Sequence, residues 1–154
     1  MTPFLKHLLI FLVINFGALA LGGFLMGEGS SSEYYVSLNK ASWTPPGWVF
    51  GAAWFTIMLC FSFYMAYWLK VDLSQKVILL FAIQIVLNIV WNPIFFNFHL
   101  ELLGFIVIAS LTIVVGFMLF NNWPVLGTKS LLIAPYFVWL LIATSLNAYI
   151  MLNN

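Results

Sequence analysis

The chain has 154 residues, of which 64% are hydrophobic and 6% charged, with a net charge of +1 and a mean hydropathy of +1.10. A soluble domain carries about 25% charged residues, so this composition cannot cover a water-exposed surface, and the length allows one integral membrane domain. The small net charge gives no argument for a nucleic-acid partner, and the single cysteine, Cys60, cannot form an intrachain disulfide and reads as a small buried hydrophobe.

Five apolar runs follow one another, over residues 5–26, 47–69, 77–97, 102–122 and 130–152. Each is near the ~20 residues that a spanning helix needs. Barrel strands would alternate over about ten residues, so the expected fold is an all-α integral membrane protein, a single five-transmembrane-helix bundle over residues 1–154. The first run has the character of a retained helix, because no convincing signal-peptide cleavage site follows it. In it, Ala18 and Gly22 form a small-xxx-small pair that permits close helix approach.

Only the first connection, residues 27–46, is long. It holds a flexible stretch from Gly27 to Ser32 and an amphipathic turn from Glu33 to Leu38. It then runs into Ser42-Trp43-Thr44-Pro45-Pro46-Gly47-Trp48 and on to Trp54. Tryptophan favours membrane interfaces, and proline is tolerated in a first helical turn. The stretch therefore predicts a helix start at Pro45-Pro46 with Thr44 as its cap, Trp48 facing the interface and Trp54 inside the bilayer. Gly47 and Gly51 form a second small-xxx-small pair.

The third run places Asn88, Trp91, Asn92 and Phe95 at i, i+3, i+4 and i+7, on one helix face. The fifth does the same with Tyr136, Trp139, Ala143, Leu146 and Asn147. Pro93 and Pro135 interrupt the hydrogen-bond ladders of these helices and can kink them. Ionisable residues are almost absent from the runs. Glu101 and His99 lie at the third connection and His7 near the opposite face, which disfavours a metal site or an ion-coupled proton relay. Lys6, Lys70, Lys76 and Lys129 share one face of the membrane and Lys40 the other, so the positive-inside rule puts the N-terminus in the cytoplasm. Two readings of the amides and aromatics stay open: a bundle core glued by amides, or a pocket walled by Trp54, Trp91 and Trp139 with Asn88 and Asn92 as polar anchors.

These residues carry a resemblance. Tyr35, the run Leu38-Asn39-Lys40-Ala41-Ser42-Trp43-Thr44-Pro45-Pro46, Leu87 to Phe96, and Pro135 to Trp139 with Ala143 to Asn147 together resemble the translocator protein family, also called tryptophan-rich sensory proteins or peripheral-type benzodiazepine receptors. The match covers essentially the whole chain. Departures are Tyr34 where the family has tryptophan, Ala41 where it has proline, and no acidic residue in the segment Gly104 to Ala109. The resemblance implies a homodimeric membrane receptor, in a bacterial cell membrane, that binds protoporphyrin IX and isoquinoline- or benzodiazepine-type ligands and needs no cofactor. It implies ligand contacts from Tyr35, Trp43, Pro45, Trp54, Asn88, Trp91, Asn92, Trp139, Ala143 and Leu146. Alternatives are tetrapyrrole or sterol transport, and light- and oxygen-dependent porphyrin degradation using Trp54 and Trp139. The sterol motif of animal members is incomplete, since Tyr149 is followed by no Lys or Arg.

Overall fold

A computed structural model describes residues 1–154. Six α-helices and no strands are present: α1 Pro3–Leu25, α2 Glu33–Ser37, α3 Gly47–Val71, α4 Gln75–Phe96, α5 Glu101–Leu126 and α6 Ala134–Asn153. All but α2 are long and apolar enough to cross a membrane. The five close into a ring in which α3 packs on α1, α1 on α4, α4 on α5, α5 on α6 and α6 back on α3.

The helix ends follow from local chemistry and differ in places from the sequence expectation. α1 starts ahead of the apolar run because the Thr2 hydroxyl accepts from the Leu5 amide and Pro3 occupies the first turn. α3 starts at Gly47 with Pro46 as its extended cap. Thr44 is not the cap: its hydroxyl donates to the Ala41 carbonyl at 2.7 Å. Each proline biases the residue before it towards extended backbone, so Thr44 and Pro45 stay outside the helix. α5 runs through Pro124 to Leu126, where Gly127 at φ +55° ends it in a conformation favoured by glycine.

Pro135 does not kink the last span. It sits in the first turn of α6, where a missing N–H is tolerated. A 3-10 segment, Gly127–Leu132, leads into it. Pro93 does lie inside α4, yet the helix continues to Phe96. The proline cannot donate to Ile89, four residues back, and the Asn92 side-chain amide compensates, donating to the Ile89 carbonyl at 3.4 Å and the Asn88 carbonyl at 3.0 Å.

The tightest packing lies in the half of the bundle away from the 27–46 connection. Phe61, Tyr64, Met65, Leu111, Val115, Met118, Ile133 and Tyr136 are fully enclosed there. Several buried polar groups there are paired across helices: Asn15 donates to Ser62 at 2.9 Å, and Asn122 donates to the Tyr64 hydroxyl at 2.7 Å, which donates to the Met118 carbonyl at 2.8 Å, whereas the buried Ser130 hydroxyl has no partner. The other half is hollow.

Candidate functional site

A cavity of about 360 Å³ occupies the half beneath the long connection, within the size range of small-molecule sites. Every spanning helix contributes to its wall. α4 supplies Asn88, Trp91, Asn92, Phe95 and Phe96, which its turn spacing brings to one face, and α6 supplies Trp139, Ala143, Leu146, Asn147 and Ile150 by the same spacing. α3 adds Phe50, Gly51 and Trp54, α5 adds Ile108, and Tyr35 reaches in from the connection.

The aromatic walls hold one another at right angles or in stacks. Trp139 meets Phe50 edge-on at 5.3 Å, Trp54 meets Tyr136 edge-on at 5.9 Å, and Trp91 stacks on Phe95 at 5.3 Å. Such pairs fix ring orientation beyond simple burial. Trp91 is also tethered, its indole N–H donating to the Asn147 carbonyl oxygen at 3.2 Å. Asn147 in turn donates to the Ala143 carbonyl at 2.9 Å. At the cavity floor Asn88 donates to the Tyr136 hydroxyl at 2.7 Å, and that hydroxyl donates to Gln84 at 3.0 Å. Amides thus glue the core, and the same amides line a pocket, so both sequence readings describe part of the structure.

The long connection is ordered over this cavity. Ser32 caps α2 by accepting from the Tyr35 amide, and Gly29–Ser31 forms a 3-10 turn where the sequence suggested a flexible stretch. Three attachments hold it down. The Tyr34 ring stacks on His99 at 3.8 Å and its hydroxyl donates to Glu101 at 3.2 Å. The Asn39 amide donates to Asn154 at 2.7 Å. The Trp43 indole donates to the Ser145 hydroxyl at 3.1 Å and its ring meets Tyr149 edge-on at 5.5 Å. Burial, together with the Glu101 charge, pushes the Tyr34 phenol up, and burial alone pushes up Tyr35; both stay neutral donors at physiological pH.

Of the ten residues singled out by sequence, Tyr35, Trp54, Asn88, Trp91, Asn92, Trp139, Ala143 and Leu146 are brought together on the cavity wall. Trp43 and Pro45 are not. Trp43 clamps the connection onto α6 from outside, and Pro45 precedes α3 in the extended segment. Trp48 is 75% exposed and faces outward. Sequence reasoning missed the α1 wall, Ala18, Leu19, Gly22, Gly23 and Met26. Apart from Asn15, the membrane-spanning part of α1 is apolar on every side and gives little periodicity to say which face turns inward. Two signals were available: Asn15, which shares a face with Ala18, Leu19 and Gly22 at i, i+3, i+4 and i+7, and the Ala18–Gly22 pair, whose purpose is visible, since a Cβ at Gly22 would lie 2.8 Å from the Asn92 amide nitrogen. Gly47 and Gly51 face open space instead of a neighbouring helix.

No three His, Cys, Asp or Glu side chains converge anywhere in the chain, and the cavity wall carries amide, hydroxyl and indole groups as its polar equipment. Residues 9–152 match the TspO/MBR family. The chain is 32% identical over 138 residues to Protein CrtK of Rhodobacter capsulatus, covering 87% of this chain and 86% of that one. It is 33% identical over 129 residues to the tryptophan-rich protein TspO of Chlorobaculum tepidum, covering 80% and 81%. To the translocator protein of Homo sapiens it is 30% identical over 139 residues, covering 85% and 79%. With five apolar spans arranged around one aromatic cavity, this multi-pass integral membrane protein belongs to the TspO/MBR family.

Proposed function

We propose that the protein is a membrane receptor that binds a flat hydrophobic ligand, protoporphyrin IX or an isoquinoline- or benzodiazepine-type ring system, in the cavity beneath the long connection. The observation that carries this reading is the convergence of Trp54, Trp91 and Trp139 with Phe50 and Phe95 around about 360 Å³ of space. Aromatic faces supply contact area, and a few amides fix orientation. No cofactor is needed for binding. The lysine distribution supports a cytoplasmic N-terminus, which puts the cavity and its covering loop on the outer side, and the family supports a homodimer.

The test is a titration of protoporphyrin IX into the protein in lipid nanodiscs, followed by tryptophan fluorescence. We expect saturable quenching that an isoquinoline carboxamide competes away. Trp139→Phe should weaken binding about tenfold, equivalent to ~1.4 kcal/mol. Non-saturable quenching that the competitor leaves untouched would overturn the reading. A second reading, light-driven porphyrin degradation, is favoured by one observation: Trp54 and Trp139 both line the cavity. A photoexcited porphyrin could take an electron from an indole there, with dioxygen as the terminal oxidant. Loss of porphyrin absorbance under light and oxygen, abolished in Trp54→Phe and Trp139→Phe, would establish it. Transport would show instead as porphyrin flux across proteoliposomes.

A further inference from the structure

The end of the bundle remote from the long connection is basic. α1, α4 and α6 start there, and α3 and α5 end there. It carries Lys6, Lys70, Lys76 and Lys129, all exposed, against a single carboxylate, Asp72. Asp72 is engaged within its own turn, accepting from the Ser74 amide at 2.9 Å. Lys40, at the other end, donates to the carbonyls of Tyr35 and Val36, whereas none of these four lysines donates to a protein oxygen. Their charge is therefore available to a partner from outside the chain.

Three elements meet around Tyr67 at this end. The Phe4 ring of α1 lies 4.7 Å from the Tyr67 ring of α3, tilted against it at 40°. The Lys129 Nζ, from the 3-10 segment that joins α5 to α6, sits over the same ring at 4.7 Å from its centroid. A cation held over a ring face in this way keeps its N–H donors for an anion. Lys70 follows Tyr67 by three residues, so the two are neighbours on the surface of α3. One corner thus combines two ammonium groups without an ion-pair partner and a pair of aromatic rings, at the ends of spanning helices. Lysines and aromatic rings in that position belong to the membrane interface. Lys76 lies apart from this corner, on α4, with its Nζ 5.4 Å from the Phe117 ring of α5.

We propose that the corner framed by Phe4, Tyr67, Lys70 and Lys129 binds the headgroup of an anionic phospholipid. The lipid phosphate accepts from the two ammonium groups, and the acyl chains stay in the bilayer beside the apolar spans. Charge complementarity selects the headgroup: a zwitterionic lipid would bring its own cation among the lysines, and an anionic one does not. A bound headgroup ties the 3-10 segment to α3 and so fastens the α5–α6 joint. The site is separate from the cavity, and its existence does not depend on what the cavity binds.

The experiment uses the full chain in a nonionic detergent. Dioleoyl phosphatidylglycerol is titrated against dioleoyl phosphatidylcholine, with bound lipid counted by native mass spectrometry and the unfolding temperature followed alongside. One phosphatidylglycerol should be retained about tenfold more tightly than phosphatidylcholine and should raise the unfolding temperature. Added salt should erode the preference. A lysine near an anionic headgroup contributes about fivefold, so Lys70→Gln combined with Lys129→Gln should bring phosphatidylglycerol down to the phosphatidylcholine level. Unfolding of that variant in phosphatidylcholine alone should be unchanged, which reports an intact fold. Lys76→Gln should cost less than about threefold. Equal retention of the two lipids would overturn the proposal. So would a loss in Lys76→Gln as large as in Lys129→Gln, which would mean diffuse attraction to the whole basic end. Displacement of the lipid by inorganic phosphate would make a free anion the ligand and overturn the assignment to lipid.

Discussion

The half of the bundle away from the 27–46 connection and the half beneath it are made of the same residue types and differ in how they fill space. In the far half, Phe61 lies between Tyr64, Phe81 and Tyr136 at centroid distances of 5.3–6.0 Å, and Asn15 bonds to Ser62 and Asn122 to Tyr64 across helices. In the near half, aromatic rings stand at the perimeter and the centre is empty. The difference comes from the residues between the rings. Ala18, Gly22, Gly23, Gly51 and Ala143 line the hollow, whereas Leu111, Val115, Met118 and Leu140 fill the corresponding space in the packed half. A cavity in a membrane bundle is thus specified by where side chains are withheld. Its aromatic content alone does not distinguish it from a core.

Opposite substitutions in the two halves break this comparison most sharply. Phe61→Ala removes a wholly enclosed ring and should destabilise the fold by about 3–5 kcal/mol, read as an earlier thermal or denaturant-induced unfolding transition. Ala143→Phe adds a ring to the hollow half. It should abolish ligand binding while leaving the unfolding transition within about 1 kcal/mol of the original, because the added volume goes into empty space instead of overpacked atoms. If Ala143→Phe unfolds the protein as strongly as Phe61→Ala does, the near half is a packed core and the comparison fails.

Gly22→Ala is a smaller change at the seam between α1 and α4. The new Cβ meets the Asn92 amide at 2.8 Å, against the group that satisfies the Ile89 carbonyl left open by Pro93. Either the helices separate or Asn92 moves. The expected destabilisation is about 1–3 kcal/mol, with ligand affinity falling as the α4 wall shifts. Asn92→Ala in the same background tests the cause. If the amide is what the methyl strikes, the two substitutions together should destabilise less than the sum of each alone.

How much of this was legible in the sequence depends on whether a position carried its own contrast. The α4 and α6 faces of the cavity were readable because asparagine and tryptophan recur there at helical spacing in an apolar background. The five spans were readable from length and composition. The α1 wall was harder to read, since Leu19 and Met26 look like any lipid-facing residue and Asn15 is the one polar residue that marks their face of the helix. Pro135 looked like a kink because the 3-10 segment before it, Gly127–Leu132, has no sequence signature that separates it from α-helix. Thr44 looked like a cap because its spacing is right, and the consecutive prolines hold it out of position. Trp43 presents the subtlest case: its motif marks it beside cavity residues, and its role is one layer outside them.

Trp43→Phe is the smallest expected effect and the one that separates the lid from the wall. The substitution keeps an aromatic ring against Tyr149 and deletes the N–H that reaches the Ser145 hydroxyl. Ser145 still donates to the Ile142 carbonyl at 2.7 Å, so no buried donor is stranded, and Trp43 is 54% exposed, so water can replace the lost partner. The loss should stay within about 0.5–1.5 kcal/mol and concentrate on the attachment of the connection to α6. Hydrogen exchange over residues 38–46 should rise several-fold, while ligand affinity changes less than twofold, because the indole does not line the cavity. Tyr34→Phe, which unhooks the connection from Glu101 at another of its three attachments, should show the same separation of exchange from affinity. An affinity loss of tenfold in either variant would mean that the docked connection sets the shape of the hollow half, and the withheld side chains would then be only part of what keeps that half open.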